Sequence, residues 1–238
     1  ASGRDVQSWK ATDTTTGQLV HIKELWLEHV DSWKAVELFE REVETLAQLD
    51  HPRIPRLVDS WTETGDATAR FGVAREWVAG SPLSATFQDI EALEEAKVRA
   101  VLQQVGEILA YLHAFRPAVV HRDLTPQHII EDDAGHLHLV GFGGVQAALP
   151  RTQGGSTFVG TSGYVSPEQL MGKAQPASDI YALGATCAAL LAGMPASELP
   201  TKNMHVQFAE HVTASPALLG LLRDMLEPMV DCRPYDGE

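Results

Sequence analysis

A chain of 238 residues with 44% hydrophobic content carries enough apolar material for one domain or two closely packed lobes. Its 18 basic against 32 acidic residues give a net charge of −14, which argues against a nucleic-acid or anionic-membrane surface. The longest mostly apolar run, 182–194, is too short to cross a bilayer, and Cys187 and Cys232 provide no disulfide framework. No signal-peptide pattern opens the chain, so a reducing cytoplasm is expected. Both ends read as the edges of a piece of something longer.

Residues 6–11 and 19–25 read as a strand pair, with Thr14-Thr15-Thr16-Gly17 as the turn. Over 32–49 the spacing becomes helical, with Val36, Phe39, Val43, Leu46 and Leu49 on one face, until Asp50-His51-Pro52 stops it. Strands are expected at 56–62 and 70–77, and Gly80-Ser81-Pro82 makes a connector. A long amphipathic helix follows over 92–115, its stripe of Val98, Val101, Leu102, Val105, Leu109 and Leu112 serving core packing. Residues 119–133 read as loop and short strand, 136–140 as a strand, and 143–165 as a glycine- and threonine-rich loop without periodicity. Two apolar helices, 178–193 and 215–226, complete the pattern.

The chemistry-bearing stretches are His121-Arg122-Asp123-Leu124-Thr125-Pro126-Gln127-His128 and, a dozen residues on, Gly141-Phe142-Gly143. Around them stand Val20-His21-Ile22-Lys23, Glu42 in the first helix, and Gly160-Thr161-Ser162-Gly163-Tyr164 ahead of Ser166-Pro167-Glu168. Asp179 follows in Ser178-Asp179-Ile180-Tyr181, and Arg233 comes late. In this order and at these separations, the chain resembles the eukaryotic-like Ser/Thr protein kinase family of bacteria over nearly its whole length. The motifs it resembles are V-A-I-K, the helix glutamate, H-R-D-L-x-P-x-N, D-F-G, G-T-x-x-Y with A-P-E, and the late arginine. The resemblance implies an α+β, two-lobed fold. Residues 1–80 would form a small β-rich N-lobe lacking the family's first strand, and 81–238 a larger helical C-lobe.

The same resemblance assigns roles. Lys23 would hold nucleotide phosphates and pair with Glu42. Arg75 would sit at the gatekeeper position behind the adenine pocket, with Glu76 and Trp77 in the hinge, all three being nucleotide-binding positions. By their charge, Lys23 and Arg75 could meet phosphates without a metal. A buried Arg75 would need a carboxylate, Glu42 being the candidate, whereas a one-residue slip of the strand would turn Arg75 outward. Asp123 would occupy the catalytic-base position. His121, Arg122, Phe142 and Asp179 would order the catalytic loop, Thr161 would brace it, and Glu168 would pair with Arg233.

Against that frame the family's lysine is replaced by Thr125, its asparagine by His128 and its metal-binding aspartate by Gly141. Phosphoryl transfer is mainly positioning and charge neutralisation. Glycine supplies no ligand, and imidazole suits magnesium poorly, since that ion prefers hard oxygen donors. One electrostatic stabiliser is worth on the order of 3 kcal/mol in the transition state. The glycine loop is degraded as well, its three glycine positions falling on Ala1, Gly3 and Val6. The expected protein is therefore a pseudokinase, a binding, allosteric or scaffold module in which Asp123 is idle. It would bind ATP weakly and without magnesium, hold no metal, and act on a protein partner, either an active kinase or the rest of a longer polypeptide. The alternatives are an active Ser/Thr kinase using His128 with Asp132 or Asp133 as a non-standard metal site, or an enzyme moving another part of the nucleotide.

His136 and His138 share a strand face at a spacing compatible with a metal, but no cysteine or further carboxylate pattern accompanies them. A solvated strand face is the expectation there. Arg122 could receive a phosphate placed on Thr152, Ser156, Thr157 or Thr161; a plain connector is the other reading of that loop.

Overall fold

The protein is described by a computed structural model over residues 6–27, 33–64, 69–88, 92–147 and 160–234. The chain separates into two units, Ala1–Ala79 and Gly80–Glu238. The motifs retained along the sequence fall in both.

The first unit is built on strands β1 (Val6–Thr12) and β2 (Leu19–Leu27), helix α1 (Trp33–Leu46), and strands β3 (Leu57–Thr64) and β4 (Ala69–Glu76). The sheet is antiparallel with order β1-β2-β4-β3. Asp13 closes the first hairpin by accepting from the Thr15 amide and the Thr16 hydroxyl, and Gly17 takes the left-handed conformation at φ 74°. Side chains alternate along a strand, so one face of β2 carries His21, Lys23 and Leu25. The matching face of β4 carries Phe71, Val73 and Arg75, in register Lys23 to Val73 and His21 to Arg75. Leu25 and Val73 pack with Val36 and Phe39 of α1 into the core, which identifies this face as the one covered by the helix. Helix α1 ends at Leu46, three residues before the expected stop, because the chain already tightens into an i→i+3 turn from Thr45 to Gln48.

The second unit opens with β5 (Ser81–Pro82) and α2 (Glu95–His113), then β6 (Val119–Val120), β7 (Ile129–Glu131), β8 (Leu137–Leu139) and β9 (Gln146–Ala147). The short strands form two small sheets, β5-β7-β8 and β6-β9. Helices α3 (Pro167–Leu170), α4 (Pro176–Ala192) and α5 (Pro216–Met225) follow. Helix α4 is apolar all round and almost wholly buried, as befits a central core helix. It starts two residues earlier than expected, because Gln175 and Ser178 form a capping box and Pro176 occupies the first turn. Gly193, at φ 65°, ends it. The expected irregular loop 143–165 is partly structured, for β9 pairs with β6; residues 148–159, with Thr152, Ser156 and Thr157, lie outside the described residues. Among the described residues no helix is long and apolar enough to cross a membrane.

Candidate functional site

In the first unit Lys23 Nζ lies 2.5 Å from Glu42 Oε2, tying β2 to α1. Glu42 is almost fully buried, at 2% exposure. Arg75 lies on the same sheet face as Lys23, two positions beyond Val73, so its side chain is turned in and not outward. The expected Arg75–Glu42 pair does not form, since Glu42 is engaged by Lys23. Glu42 acts on Arg75 only through its field, and burial pulls the arginine below its usual value despite that field. Arg75 Nη1 is buried without a hydrogen-bond partner among the described residues. Glu76, exposed at the end of β4, accepts from the Arg56 amide, and the Trp77 ring carries Lys10 Nζ 4.6 Å above its centre. Val6 belongs to β1 and is half-exposed.

His21 was missed by sequence reasoning. The signal was available, because V-H-I-K differs from V-A-I-K by an imidazole in place of an alanine. His21 stands opposite Arg75 across the β2–β4 ladder, and its Nδ1 is buried without a partner among the described residues. Burial first, and then the charge of Arg75, push its pKa down to about 4.

In the second unit Asp179, fully buried, organises the catalytic-loop stretch. Its carboxylate accepts from the backbone amides of His121 and Arg122, each at 2.9 Å, and meets His113 Nε2 at 2.9 Å. Those bonds hold Arg122 at φ 70°, a conformation that a non-glycine residue adopts only when its surroundings fix it. The Arg122 carbonyl accepts from Gln169 Nε2 at 2.7 Å. His121 donates from Nε2 to the Val140 carbonyl and packs edge-on against Phe142, with ring centres 5.0 Å apart. Burial holds it below the usual histidine pKa. Thr161 Oγ1 donates to Asp123 Oδ1 at 2.7 Å.

His128 Nδ1 donates to the backbone carbonyl of Asp123 at 2.7 Å and lies 3.5 Å from both Asp123 Oδ2 and Thr125 Oγ1. The imidazole thus closes the loop upon itself. Its ring fills the space beside Gly141, where an added Cβ would overlap Cγ, Cδ2 and Nε2. Gly141 itself is left-handed, at φ 86°.

The family's magnesium does not fit this arrangement. One ligand position has no side chain, and the other holds a nitrogen ring whose Nδ1–H points at a carbonyl. Among the described residues no group of three or more His, Cys, Asp and Glu side chains is arranged to hold a metal ion. Asp132, named beside His128 as an alternative ligand, is instead bound to His136 Nδ1 at 3.3 Å and His138 Nε2 at 3.1 Å. That corrects the expectation that no carboxylate accompanies the two histidines. The signal lay in the hairpin, since the Asp132 carboxylate also accepts from the Ala134 and His136 amides and thereby returns toward β8. His138 first, then the amide bond from His136, hold its pKa at about 2.

Glu168 and Arg233 form a bidentate pair at 2.7 and 2.9 Å, with the arginine side chain fully buried. Ser178 Oγ donates to Glu168 at 2.5 Å, and Arg233 also donates to the carbonyls of Ala177, Glu227 and Pro228. The guanidinium stacks 4.9 Å from the Tyr181 ring centre.

Comparison with known proteins agrees with this architecture. The family model described as the protein kinase domain matches residues 2–234. Serine/threonine-protein kinase B of Synechocystis is 32% identical over 206 residues, covering 81% of this chain and 35% of that protein. Serine/threonine-protein kinase F of the same organism is 36% identical, over 69% of this chain and 35% of that protein. Serine/threonine-protein kinase PknA of Mycobacterium tuberculosis is 34% identical, over 77% of this chain and 43% of that protein. The chain belongs to the protein kinase domain family, in its eukaryotic-like Ser/Thr branch. It spans between about a third and two fifths of the length of these relatives.

Proposed function

We propose that this kinase-fold chain is a pseudokinase, a cytoplasmic regulatory module that binds and positions a protein partner and transfers no phosphate. The observation that carries the reading is the His128–Gly141 contact. The two positions that would supply metal ligands are joined into one packed arrangement, with an imidazole where an asparagine would reach out and no side chain opposite it. Thr125 adds to this, since its hydroxyl faces His128 and brings no positive charge to a transferred phosphate. Asp123 has a structural reason to remain, as acceptor of the Thr161 bond. The partner is an active kinase or the remainder of a longer polypeptide. ATP, with Lys23 as its surviving phosphate contact, binds weakly and indifferently to magnesium.

Incubation with labelled ATP and magnesium or manganese, alone and with generic protein substrates, tests the reading. No incorporation above background is expected. Robust incorporation that disappears in Asp123→Asn would establish an active Ser/Thr kinase with a non-standard metal arrangement instead.

A further inference from the structure

The sheet face under α1 carries His21, Lys23 and Arg75, facing the carboxylate of Glu42. Lys23 takes that carboxylate at 2.5 Å, and Arg75 is left with no ion pair among the described residues. Two nitrogen atoms on this face, Arg75 Nη1 and His21 Nδ1, are buried and make no hydrogen bond among the described residues. They belong to side chains directly opposed across the β2–β4 ladder, where paired side chains stand about 5 Å apart. Buried polar atoms are almost always satisfied, and a buried guanidinium without an anion is among the least favourable exceptions. Here the two exceptions are adjacent, and both are hydrogen-bonding nitrogens. The face is not sealed, since the Lys23 side chain keeps 24% exposure and His21 and Arg75 are only partly covered.

We propose that His21, Lys23 and Arg75 form an anion site in the first unit that takes a phosphate group directly, without a metal ion. The chemistry selects phosphate. A guanidinium fork matches two oxygens of a tetrahedral oxyanion, and a third and fourth oxygen remain for the Lys23 ammonium and the His21 ring. A carboxylate, with two oxygens, would satisfy Arg75 and leave His21 Nδ1 unpaired. Lys23 and Arg75 against Glu42 leave the face with one net positive charge while His21 is neutral, and that charge suits an anion. Arg75 and His21 carry the site, and neither position is assigned to an anion by the kinase resemblance. The inference does not depend on the absence of phosphotransfer, because an active enzyme could carry the same site.

Calorimetric titration of the folded protein with sodium phosphate tests it, in EDTA, at fixed ionic strength, with acetate as control. Saturable phosphate binding is expected in the wild type. It should weaken about ten- to a hundredfold in Arg75→Met, the range for losing a charge-assisted hydrogen bond. His21→Ala, which restores the alanine of V-A-I-K, should weaken it less, and Arg75→Lys should retain part of it. Arg75→Met removes an unpaired buried charge while keeping an apolar stem, so it should melt no lower than the wild type without phosphate. Thermal unfolding of both proteins with phosphate added provides a second reading, in which only the wild type should be raised. Absence of saturable phosphate binding would overturn the proposal. So would equal binding by Arg75→Met, or acetate binding as tight as phosphate.

Discussion

At the scale of single residues, the His128 ring lies in the space beside Gly141 that any side chain there would need. The two departures from the kinase pattern are therefore packed against each other. Gly141→Asp alone should destabilise the protein by about 1–3 kcal/mol, because the new side chain must displace the ring from a close-packed site. Aspartate tolerates the left-handed backbone at this position better than most residues, so overlap and not φ is the main penalty. In the His128→Asn, Gly141→Asp double variant much of that loss should be recovered. Denaturant unfolding of the four proteins in the cycle measures this, and simple additivity would contradict the packing account. The sequence motifs showed that both groups were changed, but nothing in the sequence revealed that one ring fills the other's space. Arg75 divides similarly, since its position was legible and the engagement of Glu42 by Lys23 alone was not.

The Glu168–Arg233 pair gives a second residue-scale expectation. Arg233→Ala should cost about 3–5 kcal/mol, because Glu168 would remain buried without its partner. Burial pushes the Glu168 pKa up, but the bonds from Arg233 and Ser178 outweigh it and hold the group below its ordinary value. A carboxylate depressed in the folded state stabilises the protein above its unfolded pKa, and that stabilisation is lost as pH falls through the folded value. The wild type should thus lose stability on acidification below the ordinary glutamate range. Glu168→Gln should flatten that limb of the curve. An identical acid limb in both proteins would mean that the pair contributes nothing to it.

At the scale of elements, the two helices with strong end signals differ from expectation by only one or two residues. For α5 the serine before Pro216 is the N-cap, accepting from the Leu218 amide while its own amide and hydroxyl are bound to Glu95 at the start of α2. Ser215→Ala should lower stability by about 1 kcal/mol, the usual effect of losing a cap. No change in the unfolding midpoint would show that the α2–α5 contact holds without it. The helix starts are local chemistry, so sequence reasoning comes close to them. The ends of α1 and α2 were overextended because apolar periodicity continues past the last helical turn: Leu49 is buried although it lies beyond Leu46. The short strand β9 falls where an irregular loop is expected, because a strand of two residues exists through its pairing, here with β6, and no sequence period can record so short an element.

At the scale of the whole molecule, the ordered motifs carried the family, and the structure divides after Ala79 where the composition turns from mixed strands to mostly helix. What the motifs could not carry is whether retained residues serve chemistry or the fold. Lys23 and Glu42 tie a helix to a sheet, Asp179 orders backbone amides, and Asp123 receives Thr161, so each has a structural partner that would keep it in place without catalysis. The central claim is that the metal-dependent half of the kinase site is closed. Calorimetric titration of ATP, first in EDTA and then in excess magnesium or manganese, addresses it most directly. The account predicts weak binding of the same strength in all three conditions. Tight binding that appears only with the metal would contradict it.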